Sequence, residues 1–479
     1  MKRILLSLVL PLALAGCSLS SEDDPITFPT ITGKRVIYVA DADGDDGSVS
    51  GDEAYVADTG SLTQTVTLIA GGLTLGHYGD QPGGLGSAGP FVFRIVRDPL
   101  DGCPSDYGVL ARTGGPVETF FNTHCVHDYA SNPAGTLMVV MATVGTTGTN
   151  LYAADPSDLS VVHQINVGNT GFPGTVSDMA VSADGTTLFW ADATGVATAD
   201  LTQPLASINL SAQLLAVGDE PTGLFPLHDG TAVVYARDIE EQFKLVFADG
   251  SGFTYLTTLL GVGDLLGRDP HSVRISSDDA QMLYEVSFSG VKQLNRVALA
   301  SPLSETRADT AASSLRQTDD YSFEFSPDGA SYAWSGNDGT NGSQVFASTV
   351  AAPGTIVALT PVGEEQVGVL RWTDNSTVAY ISSDADQITP VGASALRTVS
   401  TATPGTTLLM GLDETAGLFV GQFTTCADGT LVYDLRYDDV DGTHTALFTA
   451  DPIAAGSFVQ ISPEIIAPGD EIFDFSCVD

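Results

Sequence analysis

Lysine is almost missing from this chain. Only Lys2, Lys34, Lys244 and Lys292 occur in 479 residues, and Lys and Arg together number 18 against 59 Asp and Glu. A formal net charge of −41 repels nucleic-acid phosphates and anionic lipid heads, so no nucleic acid is expected as a partner. The same balance favours cationic partners, divalent ions or a salty medium. Beyond the first residues no apolar run is long enough to cross a bilayer as a helix. No stretch sustains a 3.6-residue apolar period, which speaks against helical repeats. There is no Gly-x-Ser-x-Gly elbow, so the usual α/β-hydrolase nucleophile is excluded. A glycine-rich phosphate loop and a basic patch with interleaved aromatics are missing as well. The five cysteines, at positions 17, 103, 125, 426 and 477, have spacings that fit no zinc site.

What is present starts at the first residues. Lys2 and Arg3 precede a short apolar stretch, Ile4 to Leu14, and then Leu14-Ala15-Gly16-Cys17. An apolar core this short is a secretion signal and not a span. The charge, the position and the four-residue box together resemble a bacterial lipoprotein signal. The resemblance implies removal of residues 1–16 and acylation of Cys17, which becomes the membrane anchor. Residues 17–34 then read as a flexible tether, since Ser20, Ser21, Glu22, Asp23, Asp24 and Pro25 bury nothing. Fully extended, it reaches on the order of 50 Å. The expected location is the cell envelope, lipid-anchored, periplasmic or surface-facing on the outer membrane. With Cys17 on lipid, an even number of cysteines remains in an exported chain, and two disulfides are expected among three possible connectivities. Proximity favours Cys103–Cys125, and repeat position favours Cys426–Cys477.

The strongest internal signal is a repeat. Phe325-Ser326-Pro327-Asp328-Gly329 is followed by Tyr332-Ala333-Trp334, and Val181-Ser182-Ala183-Asp184-Gly185 by Leu188-Phe189-Trp190. The turn residue falls at Ala134, Asp184, Asp229, Asp279, Asp328, Asp374 and Asp428, with spacings of 50, 45, 50, 49, 46 and 54 residues. Periods of that size belong to propeller blades and solenoids. Each unit reads as strand, Asp-Gly hairpin turn, strand, then two further strands, as in Thr231 to Ala236, Lys244 to Ala248 and Thr254 to Leu259. Four antiparallel strands per unit make a propeller blade.

The two ends complete one another. Glu471 to Asp479 reads as a first strand cut off at its turn. Arg35 to Ala40 reads as a second strand lacking a first, with Glu53 to Asp58 and Thr63 to Ala70 as the third and fourth. Residues 35–479 are therefore expected to form a single all-β domain, a β-propeller of four-stranded antiparallel blades closed by pairing of the N- and C-terminal strands. Seven repeats and the shared blade give eight blades, with seven as the alternative. Residues 71–123 fit the repeat poorly, although Phe91 to Val96, Tyr107 to Arg112 and Val117 to Phe121 look like strands; they are a degenerate blade or an insertion, which shifts the count by one. In such a ring Cys426 and Cys477 meet at the same end of neighbouring innermost strands.

The Phe-Ser-Pro-Asp-Gly pattern with an aromatic strand behind it resembles the TolB-type propeller repeat, related to WD-type repeats, over roughly residues 124–479. Ala134 departs from it in place of Asp, and Asn375 in place of Gly. The resemblance implies a periplasmic interaction platform and brings no catalytic residue with it.

Candidate chemistry is sparse. Asp41, Asp43 and Asp45 alternate in an acidic hairpin, which suits calcium, but Asp46 stands where the usual twelve-residue loop needs glycine. His124 and His127 lie three apart beside Asp128; residues so spaced on a strand face opposite sides, so a shared metal needs a bend there. Trp190, Trp334 and Trp372 fall at repeat positions and are expected in the core. The expected function is a non-catalytic scaffold that binds an envelope protein or glycan. The alternative is a channel-centred polysaccharide-active enzyme such as a metal-dependent lyase.

Overall fold

The computed structural model describes the strands and tight turns between residues 35 and 478. Residues 1–34 and 479, and connections including 42–51, 59–65, 74–82, 85–90, 96–105, 111–117 and 120–124, lie outside the described residues.

Among the described residues the strands form nine sheets of four or five strands each. Sheet 1 joins both ends of the chain, in the order Val66–Leu73, Asp52–Asp58, Arg35–Asp41, Ile472–Val478. Its central pairing is antiparallel, with Val36 opposite Cys477 and Tyr38 opposite Phe475. Sheet 2 holds Gly83–Gly84, Phe91–Ile95, Asp106–Leu110 and Glu118–Thr119. Sheets 3, 4, 5, 8 and 9 open with Cys125–Ser131, Val176–Val181, Pro221–Pro226, Glu364–Trp372 and Leu418–Thr425. In sheets 6 and 7 the opening strand is split, into Leu265–Leu266 with Val273–Ile275 and Ser314–Leu315 with Phe323–Phe325.

Why these segments become blades follows from their alternation. A strand exposes two faces, and in a blade both are covered by neighbours, so apolar residues dominate either side. In Ser331–Asn337, Tyr332 and Trp334 face sheet 6 and cluster with Leu283 and Leu294. Ala333, on the opposite face, joins Leu370, Trp372 and Tyr380 of sheet 8. Trp334 stacks between Tyr332 and Phe346, with ring centroids 5.6 and 5.8 Å away. All three tryptophans are buried.

The same kind of contact runs round the molecule. Leu151 meets Trp190 between sheets 3 and 4, and Phe189 meets Val246 between 4 and 5. Phe243 lies 5.4 Å from Tyr284 between 5 and 6. Leu396 meets Tyr433 between 8 and 9. Val432 and Leu447 of sheet 9 close on Val36 and Phe475 of sheet 1. Gly83–Gly84 lies against Ile472–Val478, and Val92 of sheet 2 packs on Val126 and Val140 of sheet 3. The sheets thus form a closed ring, a β-propeller, and closure removes the radial edges that an open row would leave.

All eight sheets expected from the repeat and the shared ends are present. The ninth is the irregular stretch before residue 123. It packs on both neighbours, against Ile472–Val478 and against Val126 and Val140. Its Gly83–Gly84 and Glu118–Thr119 strands are two residues long and leave almost no pattern to read. Cys426 and Cys477 are disulfide-bonded, with Cα atoms 5.3 Å apart. The bridge ties sheet 9 to the strand that closes sheet 1, and a loop of this length restrains the unfolded chain by about 4 kcal/mol.

Candidate functional site

Two sets of carboxylates organise the ring, and both serve the backbone. The first set occupies the repeated turn. Asp328 Oδ1 accepts hydrogen bonds from Ser326 Oγ at 2.7 Å and from Ala330 N at 3.0 Å. Asp184 does the same with Ser182 Oγ at 2.6 Å and Thr186 N at 3.0 Å. Asp229, Asp374 and Asp428 each accept the amide two residues on, from Thr231, Ser376 and Thr430. Where Ala134 replaces the acid, Asn132 Oδ1 takes over and accepts from Thr136 N and Leu137 N. The hydroxyl and amide donors hold Asp184, Asp278 and Asp328 below the usual carboxylate range, the serine hydroxyl first in each case.

One repeat position is corrected here. In sheet 6 the turn acid is Asp278, not Asp279: Asp278 Oδ1 accepts from Ser276 Oγ at 2.6 Å and Ala280 N at 3.1 Å. Asp279 occupies the place of Gly329, with φ of 55° against 68°, in the left-handed region that Asp tolerates better than most residues. The doubled Asp made the register ambiguous in sequence. Adjacent turns are stitched together. His228 N donates to Asp279 Oδ2, Ser277 Oγ to Pro327 O, and Asp328 N to Asn375 Oδ1.

The second set lies deeper. The opening strands of sheets 3, 4, 5, 8 and 9 each carry a register shift. In three of these bulged strands, those of sheets 5, 8 and 9, a backbone amide donates to a carboxylate. Asp178 Oδ2 accepts Leu224 N of the next sheet at 3.0 Å. Glu324 Oε2 accepts Trp372 N at 3.0 Å, again across a sheet boundary. Asp434 Oδ1 accepts Gln422 N at 2.6 Å while Oδ2 takes Arg436 Nε at 3.0 Å. Burial pushes all three carboxyls up, Asp178 to about 7 with Asp128 adding repulsion. Arg371, 3.6 Å from Glu324, and Arg436 oppose that rise.

A cavity of about 390 Å³ opens at the turn face between sheets 8 and 9. Its wall includes Asp374, Asp428, Asp451, Thr430, Thr449 and Ile453. No sequence signal pointed to it, because its wall joins two turns of the repeat to the 451–457 connection. It is the candidate binding site.

Most of the residues singled out in sequence do not converge on it. Asp41 ends its strand opposite Asp52; Asp43, Asp45, Cys17, Cys103 and His124 lie outside the described residues. Cys125 is disulfide-bonded. His127 Nε2 lies 2.7 Å from Thr143 Oγ1, and burial lowers its pKa. Among the described residues no group of three His, Cys, Asp or Glu is placed to hold a metal ion.

No family model matches the chain, and no curated protein matches it. Solved structures do resemble it. A eukaryotic initiation factor, 7% identical, covers 92% of this chain and 99% of its own, with a TM-score of 0.53. A "putative TolB" from Agrobacterium tumefaciens, 15% identical, covers 50% of this chain and 81% of its own, with a TM-score of 0.30. A puromycin-hydrolyzing peptidase from Mycobacterium tuberculosis, 15% identical, covers 78% of this chain and 59% of its own at 0.38. Identities this low bear on the fold alone, and only the first of these likenesses is close enough to carry it.

Proposed function

We propose that the chain is a lipid-anchored, exported β-propeller of the TolB type that acts as a non-catalytic binding scaffold at the cell envelope. Cys17 is its acylated anchor, residues 17–34 its tether, and an envelope protein or glycan its partner. The observation that supports this reading most is how the abundant carboxylates are used. In turn after turn, and along three of the opening strands, they accept backbone amides and stiffen a closed ring. A rigid disc that presents loops from its faces suits recognition. Calcium at Asp41, Asp43 and Asp45 belongs to the same proposal; removing it with a chelator is expected to lower the melting temperature.

The test has two arms. Cys17→Ser is expected to abolish acyl labelling and move the protein from the membrane fraction to the soluble one. Photo-cross-linking groups placed at His228 and Asn375 on the turn face, and at Val161 on the outer rim, are expected to trap an envelope partner from the turn face. Membrane retention of the Cys17→Ser chain, or unsaturated sugar products released from polysaccharide by the purified protein, would overturn the reading.

A further inference from the structure

We propose that the gap between sheets 7 and 8 is a binding site for one water molecule, shared by the hydroxyls of Ser335 and Ser343 at the end of the sheets remote from the repeated turn. The proposal goes beyond the scaffold reading, which concerns a macromolecular partner, and stands without it.

Register brings the two hydroxyls together. Ser331–Asn337 pairs with Ser343–Thr349 without a break, Ser335 opposite Val345 and Ser343 opposite Asn337. Side chains on a strand alternate between faces. Ala333, Val345 and Ala347 meet Val378 and Tyr380 of sheet 8, so Ser335 and Ser343 face sheet 8 as well. On that face they are diagonal neighbours, which sets such residues about 7 Å apart. Side chains as short as serine do not close that distance with a direct bond. One bridging water spans it, through two bonds of about 2.8 Å each. Ser335 is 2% exposed and Ser343 fully buried, and among the described residues neither Oγ has a hydrogen-bond partner. A hydroxyl buried in that way is destabilising, and ordered water is the usual remedy where two such groups share a space.

The facing wall is polar at the corresponding place. Ser382, fully buried, lies two residues beyond Tyr380 and faces sheet 7 by the same alternation. Its Oγ accepts Arg397 Nε at 2.9 Å, and Arg397 stands opposite Tyr380 on that face. The apolar packing of Ala333 and Tyr380 therefore ends in a polar layer. Ser382 is already engaged there, so the capacity left over is that of Ser335 and Ser343. Each offers one donor and two acceptor lone pairs. A small neutral molecule that both donates and accepts matches that set.

Oxygen-17 magnetic relaxation dispersion of the full chain in detergent counts long-lived internal waters. The double variant Ser335→Ala with Ser343→Ala is expected to hold one fewer than wild type, while Ser157→Ala, on an exposed turn, leaves the count unchanged. Urea unfolding supplies an independent sign. Hydroxyls that share a water make each single variant lower the unfolding midpoint, and the double variant falls by less than the sum, since the first substitution already breaks the bridge. Hydroxyls that are merely unsatisfied give the opposite sign, because alanine at either position then raises the midpoint. An unchanged water count in the double variant, a raised midpoint in either single variant, or single losses that simply add would each overturn the proposal. Near-ultraviolet circular dichroism of each variant separates loss of the water from loss of the fold.

Discussion

The turn acids and the bulge acids are the same chemistry in two places, and their surroundings drive them in opposite directions. At the turns, Asp184, Asp278 and Asp328 are solvent-exposed and gain hydrogen bonds on folding, so their ionised forms are favoured. Asp178 and Glu324 on opening strands, and Asp434 on the second strand of sheet 9, also accept amides, but lose more hydration than those bonds return. A composition of 59 acidic residues therefore contains at least two populations. One makes hairpins and the other accepts amides from the bulged opening strands.

The largest expected effect comes from the bulge set. Asp434→Ala removes the fully buried carboxylate to which part-buried Arg436 and the Gln422 amide donate, and is expected to cost about 3 kcal/mol in urea unfolding. Pairing it with Arg436→Met is expected to return part of that loss, which distinguishes an orphaned charge from a simple cavity. Glu324→Ala orphans the Trp372 amide and is expected to cost about 2 kcal/mol. At the turns, Asp328→Ala removes bonds that water replaces, and about 1 kcal/mol is expected. Equal losses at Asp434 and Asp328 would erase the distinction.

The turn set was legible in the sequence and the bulge set was not. Asp followed by Gly between β-rich segments is a local signal, and six of the seven turn positions fall where the spacing put them. Asp279 failed because two adjacent acids fit the pattern equally and only the hydrogen bonds choose Asp278. The clasp of Val36 with Cys477 was legible as an incomplete unit at each end. Asp178, Glu324 and Asp434 carry no such signature. Their role depends on which backbone amides face them in three dimensions, and Leu224 and Trp372 are their partners only because sheets 4 and 7 face sheets 5 and 8. Sheet 2 was hidden for a related reason, since two of its four strands are too short to show alternation. The cavity was invisible because its wall is assembled from segments whose local roles are already explained.

Opposite pKa displacements predict opposite dependence of stability on pH. Asp178 has a folded pKa of about 7, raised from the ordinary carboxylate value mainly by burial, so the native state holds its proton more tightly than the unfolded chain. Its contribution therefore falls as pH rises from about 4 to 7. For Asp328, lowered by its Ser326 and Ala330 donors, stability is present above the unfolded pKa and is lost as pH falls through the folded one.

Urea unfolding of wild type, Asp178→Asn and Asp328→Asn between pH 3 and 8 measures both at once. The account predicts that Asp178→Asn removes a decline in stability between about pH 4 and 7, and that Asp328→Asn reduces the loss of stability below about pH 4. Two variants with the same pH profile, or an Asp178→Asn profile that falls as steeply as wild type across that window, would contradict it.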